Sequence, residues 1–211
     1  MALTLRRQRK RRAAHERGYA TGPRDVREHG DMKLRPANGK VRVTYLEMTA
    51  RPVDPAPSAP PGVVQRRIAR ADLDEYRALY RRVGDPWQWV ARRTLEAAEL
   101  RAILEHPRYE LWFAEADGAP IGFAELDRQA PPDVEIRYFG LVEEWIGRGA
   151  GRWLLRAMID RAWAPAETER VWLHTCELDH PGALRFYQRG GFVPYGQGIE
   201  DYVDPDAVSL W

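Results

Sequence analysis

A glycine-rich turn is the part of this sequence whose residue types best suit chemistry. Residues 146–151 read Ile-Gly-Arg-Gly-Ala-Gly, between a run typical of a β-strand (134–142) and a run typical of a helix (152–163). Such a turn leaves backbone N–H groups pointing outward at the positive end of the helix dipole. Because that geometry binds anions, we predict a phosphate-binding loop here.

A second patterned segment, residues 183–192, reads Ala-Leu-Arg-Phe-Tyr-Gln-Arg-Gly-Gly-Phe. The turn and this segment together resemble two motifs of the GNAT superfamily of acyl-CoA-dependent N-acetyltransferases, over about residues 63–197. In the loop motif Gly149 and Gly151 match, whereas Ile146 replaces the usual Gln or Arg. In the second motif His180 replaces the usual Asn, and the matching residues are Ala183, Phe186, Tyr187, Gly191 and Phe192.

The resemblance implies a reaction and roles for particular residues. An acetyl group would pass from acetyl-CoA, a co-substrate, to an amine by direct attack in a ternary complex, without a metal. Tyr187 would protonate the departing CoA thiolate, and a backbone N–H near Leu141 would stabilise negative charge on the acetyl oxygen. From the residues alone, Tyr187 could instead be an aromatic side chain packed beside Phe186.

The attacking amine must also lose a proton. In the histone-type members that the sequence resembles, a carboxylate lies eleven positions before the first loop residue, which here is Glu135. Glu125, on the preceding predicted hairpin, is the second candidate. Either carboxylate could instead lie on a solvated strand face or pair with Arg137.

Two sets of side chains are expected around the substrates. Trp87 and Trp89 follow Asp85 and Pro86 in a predicted loop and are expected to shape the acceptor pocket, although aromatic residues more often belong to the core. The resemblance implies that acetyl-CoA contacts Leu141, Val142, Ile146, Gly147, Arg148, Gly149, Ala150, Gly151, Arg152, His180, Ala183, Phe186 and Tyr187.

The segment His174, Cys176, Asp179 and His180 could be interpreted as a metal site or a Cys-His nucleophile. The sequence offers no compact second ligand pair and no Cys-x-x-Cys spacing, which structural zinc sites usually show. Cys176 also falls within a predicted strand, not at a helix N-terminus where a thiolate would be stabilised. We therefore predict no metal.

Charge is distributed unevenly along the 211 residues, whose net charge is +2. Residues 1–45 contain 13 Lys and Arg against 4 Asp and Glu, which leaves 20 basic and 27 acidic residues in the remainder. The acidic remainder argues against a nucleic-acid-binding domain and favours a cationic or amine substrate. The basic tail could still bind nucleic acid. Alternatively, it could be a solvated tail, or the start of translation could have been assigned too far upstream.

The order of predicted elements is β, β, α, α, β, β, β, α, β, α, β, which indicates an α/β fold: a mixed, mostly antiparallel central sheet with helices on both faces. We expect a basic, unstructured tail (1–40), a strand with a proline-rich linker (41–62) and a GNAT-like acetyltransferase domain (63–211). The strand at 41–48 could serve an interface in a homodimer.

Expectations about partners follow. The acceptor would be a small-molecule or peptide amine, with no membrane partner, because no apolar run approaches the ~20 residues of a membrane span. A single cysteine requires no oxidising compartment, so we expect a cytoplasmic protein. The alternative to an enzyme is a CoA-binding module without turnover, which the unusual Ile146 and His180 keep open.

Overall fold

The structure, a computed structural model, describes residues 39–207. The predicted basic tail therefore lies outside the described residues except at its last two positions. Within 39–207 there are seven strands and four α-helices. In chain order they are β1 (Lys40–Met48), β2 (Val63–Ile68), α1 (Leu73–Gly84), α2 (Ala97–Leu104), β3 (Tyr109–Ala116), β4 (Ala119–Asp127), β5 (Asp133–Leu141), α3 (Ala150–Ala162), β6 (Arg170–Cys176), α4 (Ala183–Arg189) and β7 (Val193–Asp201).

The seven strands form one sheet in the order β2-β3-β4-β5-β6-β1-β7. All neighbouring pairs are antiparallel except β5 and β6, which are parallel. Residues 121–126 of β4 are buried without alternation, as expected of a strand covered on both faces. The predicted mixed, mostly antiparallel sheet with helices on both faces is thus confirmed.

The first strand lies inside the sheet. β1 pairs with β6 on one side and with β7 on the other, so neither of its edges is free to pair with a second chain. The predicted homodimer remains a prediction, but the edges of β1 are not available to form it. β7 is one strand over 193–201, and its register with β1 shifts between Tyr45 and Leu46.

The helices α1 and α3 each have one buried side, formed by apolar residues at helical spacing. Asp72 caps α1, its carboxylate accepting from the N–H groups of Asp74 and Glu75. Apolar residues at helical spacing then form the buried side of α1: Leu73, Tyr76, Leu79, Tyr80 and Val83. In α3 the equivalent buried set is Leu154, Leu155, Met158, Ile159 and Ala162.

A gap opens where β5 and β6 diverge. Their pairing extends only from Asp133 to Glu135 on β5, so within residues 39–207 the following residues of β5 have no partner strand on that side. Both strands are parallel, so their carboxyl ends lie at the same edge of the sheet, where the glycine turn leads into α3 and residues 177–182 lead into α4. This edge is where open α/β sheets bind ligands.

Candidate active site

The gap between β5 and β6 is part of a cavity of about 720 Å³. Its walls come from the end of α1 and the loop after it, residues 136–141 of β5, the glycine turn, the end of β6 and the start of α4. The far ends of β1 and β7 complete it through Val41, Val43 and Glu200. The glycine turn and the second motif, on α4, therefore line the same cavity.

Two unpaired peptide groups of β5 face this gap. The Val142 N–H donates to the Ile121 carbonyl of β4 at 2.9 Å. Along an antiparallel strand the backbone groups alternate in direction, so those of Leu141 and Phe139 point away from β4, toward the gap. Leu141 thus places a backbone donor as expected, while its side chain is buried. Phe139 offers a second donor that the sequence reasoning missed, although the two-residue period of a strand could have shown it.

The glycine turn has the backbone conformation that an anion site needs. Gly147 and Gly149 have φ angles of 82° and 88°, which side-chain-bearing residues rarely adopt. The turn leads directly into α3 at Ala150, so its N–H groups lie at the positive end of that helix. Ile146 and Arg152 line the cavity beside the three glycines.

Three of the residues expected to contact acetyl-CoA do not line the cavity. The Val142 N–H is used by β4 and its side chain is buried. Ala150 is fully buried and can contribute only its backbone. The Arg148 guanidinium lies over the Trp145 ring, 5.5 Å from its centroid, and does not line the cavity.

Tyr187 lies on the α4 wall of the cavity. Its ring packs against Phe139 and Phe192, with centroids 6.2 and 6.4 Å apart. Burial raises the pKa of the Tyr187 phenol, and the negative charge of Asp179 raises it further. The phenol is therefore held protonated, the form that can donate a proton. The cavity is also lined here by Ala183, Phe186 and His180.

Glu125, the second candidate base, does not line the cavity. It is fully buried and accepts hydrogen bonds from Tyr76 Oη (2.6 Å), Arg92 Nη2 (2.7 Å) and Tyr109 Oη. Its partner is therefore Arg92, not Arg137. This carboxylate ties α1 and the loop after it to the sheet, and it has no access to a substrate.

Glu125→Ala is expected to destabilise the fold, because it leaves the Arg92 guanidinium buried without its counter-charge. Breaking a buried ion pair in this way costs about 3–5 kcal/mol. Urea denaturation measures the free energy of unfolding. Glu115→Ala, which breaks the more exposed pair with Arg66, serves as the control and should cost about 1 kcal/mol or less. Equal costs for the two variants would contradict the structural role of Glu125.

Glu135, the first candidate base, lies one layer behind the cavity. It is 7% exposed, accepts from Arg137 Nη1 at 3.0 Å and has His174 Nδ1 3.7 Å from its second oxygen. Burial raises the pKa of Glu135, and Arg137 and His174 oppose that rise. Arg137 and His174 line the cavity and Glu135 does not. The group that faces the substrate side is thus His174, to which the sequence reasoning gave no role in the transfer.

Both predicted acceptor-side tryptophans line the cavity. Trp87 packs edge-on against His180, with centroids 5.2 Å apart. Trp89 Nε1 donates to Asp179 Oδ1 at 3.1 Å, and Asp179 also accepts from Thr175 Oγ1 and the Cys176 N–H. The loop after α1 is therefore bonded across the gap to the loop after β6.

Close backbone approach holds this loop against β5. A Cβ on Gly140 would lie 2.3 Å from Val83 Cγ1, and one on Gly84 would lie 2.7 Å from Trp89 Cβ. Tyr202 Oη, beyond β7, donates to Gln88 Oε1 at 2.6 Å and ties the same loop to the opposite wall. Trp89 is thus both a core residue and a residue of the cavity wall, since it packs on Tyr80 and Tyr138 and also borders the cavity.

The charges around the cavity differ from one side to the other. Arg152 and Arg189 border it near the glycine turn, whereas Glu200 and Asp201 border it at β7. Cys176 lies in its wall with a pKa raised to about 11, because burial disfavours the thiolate. Within residues 39–207 no group of three or more potential metal ligands occurs.

A comparison with known proteins identifies a family that this chain matches. The model of the acetyltransferase (GNAT) family matches residues 73–192, more than half of the chain. A search of curated proteins found no match. Among the described residues no helix is long and apolar enough to span a membrane.

Solved structures share the fold at low sequence identity. A GCN5-related N-acetyltransferase from Sphaerobacter thermophilus is 19% identical, with a TM-score of 0.57 over 81% of this chain and 56% of that one. One from Kribbella flavida is 21% identical, with a TM-score of 0.53 over 76% of this chain and 58% of that one. The chain therefore spans less than three fifths of the length of either.

A smaller neighbour is covered more fully. An aminoglycoside acetyltransferase from an uncultured soil metagenomic sample, in complex with sisomicin, is 16% identical, with a TM-score of 0.51 over 61% of this chain and 87% of that one. The match of the family model, on a fold that these structures share, shows that the chain belongs to the GNAT acetyltransferase family.

Proposed function

We propose that this chain is an N-acetyltransferase that uses acetyl-CoA and transfers the acetyl group directly to an amine. The observation that carries the proposal is the position of the glycine turn beside the open edge of β5, in one cavity. A diphosphate at the turn and an extended thiol arm along Phe139 and Leu141 match the shape of CoA. Acetyl-CoA would supply the activated acetyl thioester.

The open edge of β5 orients the reacting carbonyl. The N–H groups of Phe139 and Leu141 point into the gap, and a backbone donor there stabilises the negative charge that develops on the acetyl oxygen. Phe139 lies closer than Leu141 to the Glu135 and His174 pair, four residues along the strand from Glu135. We therefore assign the oxyanion role to the Phe139 N–H and leave Leu141 to hold the thiol arm.

Two groups move the protons. His174 faces the cavity and accepts the proton of the amine, while Glu135 behind it supports the charge that the imidazole gains. Tyr187, on the opposite wall, returns a proton to the thiolate of CoA. Proton transfer by such positioned groups contributes about 10²–10⁴-fold to rate.

His174→Gln is expected to lower kcat about 10- to 100-fold, which is at the low end of the effect of removing a general base. The loss is expected to be small because water can reach this half-exposed side chain. Glu135→Gln should cause a smaller loss of kcat. Thiol release from acetyl-CoA with an accepted amine measures both effects, and His106→Gln, two residues after α2 and outside the cavity, is the control. Unchanged kcat in His174→Gln would remove His174 from the mechanism.

The acceptor is proposed to be a cationic primary amine. Glu200 and Asp201 border the cavity away from the glycine turn, and Trp87 provides an aromatic wall. A panel of spermidine, tryptamine, kanamycin and a lysine peptide, read by mass spectrometry of the amine, tests the reaction. Kanamycin is included because a structural neighbour is an aminoglycoside acetyltransferase.

A CoA-binding module without turnover is the second candidate. The hydrogen bonds from Trp89 to Asp179 and from Tyr202 to Gln88 join walls on the acceptor side of the cavity, and this is the observation that favours it. Binding of acetyl-CoA with no acetylation of any amine in the panel would support this candidate over the enzyme.

A further inference from the structure

The side-chain amines of this chain are confined to its first 40 residues. Only three of the 33 lysine and arginine residues are lysines, namely Lys10, Lys33 and Lys40. Residues 41–211, which include every residue that lines the main cavity, contain arginine but no lysine. An arginine stays protonated at physiological pH and is not a nucleophile for an acetyl thioester, whereas a lysine that loses its proton is. Only residues 1–40 therefore carry side-chain amines that an N-acetyltransferase could modify.

The chain enters the fold at the main cavity. β1 begins at Lys40, and Val41 and Val43, which follow, line the cavity wall. Lys40 does not line the cavity, and its ammonium is paired with Asp201 of β7. The N-terminal segment, residues 1–38, lies outside the described residues. This segment therefore joins the described structure beside the cavity, where β1 and β7 form its wall.

The N-terminal segment is basic, and the wall beside which it joins the fold is acidic. The segment contains 11 Lys and Arg against 4 Asp and Glu, whereas residues 193–207 contain 4 Asp and Glu and no Lys or Arg. Glu200 is the register partner of Val41, so its side chain lies on the cavity side of the sheet, where it accepts from Tyr45 Oη at 2.5 Å. The covalent tether keeps the basic segment at a high local concentration beside this wall, so the attraction acts within one chain.

The length of chain before β1 is sufficient to bring Lys33 to the candidate base. His174 lies opposite Tyr45, which is five residues along β1 from Lys40 and therefore about 17 Å away at the ~3.4 Å rise of a strand. The seven residues from Lys33 to Lys40 span up to about 24 Å when extended. Gly39 has a φ of 61°, a conformation typical of turns, so the chain can reverse its direction there. Lys33 is thus within reach of His174.

The cavity also suits the side chain of a lysine. Val41 and Val43 give it an apolar wall on β1, and Trp87 borders it from the loop after α1. A lysine packs its methylene stem along apolar surface of this kind and keeps its ammonium in a polar environment, which Glu200 provides here.

We propose that this chain acetylates its own Lys33 in cis, with the N-terminal segment along the acidic wall of the cavity. The proposal rests on the proposed function and names an acceptor for it. His174 accepts a proton from the Lys33 ammonium, and the amine nitrogen attacks the acetyl carbonyl carbon, so that a C–N bond forms and the C–S bond to CoA breaks. Tyr187 protonates the CoA thiolate, and the proton held by His174 returns to Tyr187 through solvent. Acetylation removes the charge of Lys33, which weakens its attraction to Glu200 and releases the segment from the cavity.

Incubation of the full chain with acetyl-CoA and no added amine tests the proposal. Mass spectrometry of its peptides assigns each acetyl group to one of the three lysines. Acetylation is expected at Lys33, with a first-order rate constant that stays the same over about a 10-fold range of protein concentration, because an intramolecular reaction does not depend on dilution. Lys33→Arg keeps the charge and removes the amine, so this acetylation should be lost.

Lys10→Arg is the matched control for this change. Closure of the longer loop lowers the effective concentration of Lys10 at the cavity about 10-fold relative to Lys33, so the substitution should leave the rate unchanged. Glu200→Gln should slow the acetylation of Lys33 about 3- to 5-fold, the effect expected from one exposed ion pair. Glu169→Gln, which changes an exposed carboxylate just before β6 and outside the cavity, should have no effect.

Four results would overturn the proposal and leave the proposed function intact. They are a rate constant that rises with protein concentration, acetylation spread equally over the three lysines, the same rate in Glu200→Gln as in the wild type, and an unmodified Lys33 in a chain that acetylates an amine of the panel. No acetylation of either the chain or the panel would instead overturn the proposed function.

Discussion

A chain carrying Gly149→Asp and Gly151→Asp is expected to bind acetyl-CoA about 100-fold more weakly than the wild type, or not measurably. The reason is electrostatic and conformational. A carboxylate at the start of α3 repels the diphosphate that the helix dipole and the turn N–H groups attract, and a like-charge contact of this kind costs several kcal/mol. At Gly149, whose φ is 88°, any side chain is also strained. Calorimetry measures the affinity.

Gly118→Asp is the matched control for this variant. Gly118 has a φ of 76° in the turn between β3 and β4, so the substitution repeats the backbone strain of Gly149→Asp and adds one carboxylate away from the cavity. It should leave the affinity for acetyl-CoA unchanged while lowering the melting temperature slightly. A similar loss of affinity in both variants would mean that the turn acts through stability and not as an anion site.

Tyr187→Phe is expected to lower kcat about 100-fold while the affinity for acetyl-CoA stays within about twofold of the wild type. The substitution keeps the ring that packs against Phe139 and Phe192 and removes only the phenol that donates the proton. Thiol release with an amine from the panel gives kcat, and calorimetry gives the affinity.

Tyr195→Phe on β7 is the control for this change. It also removes one phenol, but from a side chain that lies outside the cavity and is 43% exposed, so kcat should not change. Full activity of Tyr187→Phe would show that Tyr187 is only a packed aromatic side chain, the alternative that the sequence left open.

Local patterns predicted the parts of the site that depend on local structure. The glycine turn, the strand before it and the helix after it are all found, because their signals come from adjacent residues. The helix of the second motif, α4, begins at Ala183. The Asp179 carboxylate does not cap a helix and accepts from Trp89, Thr175 and Cys176 instead.

Long-range pairing explains what the sequence could not show. Nothing in the local pattern of β1 says that it lies between β6 and β7. Glu125 reads as a polar residue on a strand, and its partner Arg92 comes from an irregular loop 33 residues away. In the same way, His174 becomes a candidate base only when β5 and β6 are known to be neighbours, with Glu135 opposite Trp172.

The most direct measurement of the central claim is a titration of isotope-labelled protein with acetyl-CoA, followed by NMR of the backbone amides. The claim is that acetyl-CoA lies along the open edge of β5 with its diphosphate at the glycine turn. The largest saturable shifts are therefore expected at the amides of Phe139, Leu141, Gly149 and Gly151. Saturable shifts confined to another surface, or no shifts from the folded protein, would contradict the claim.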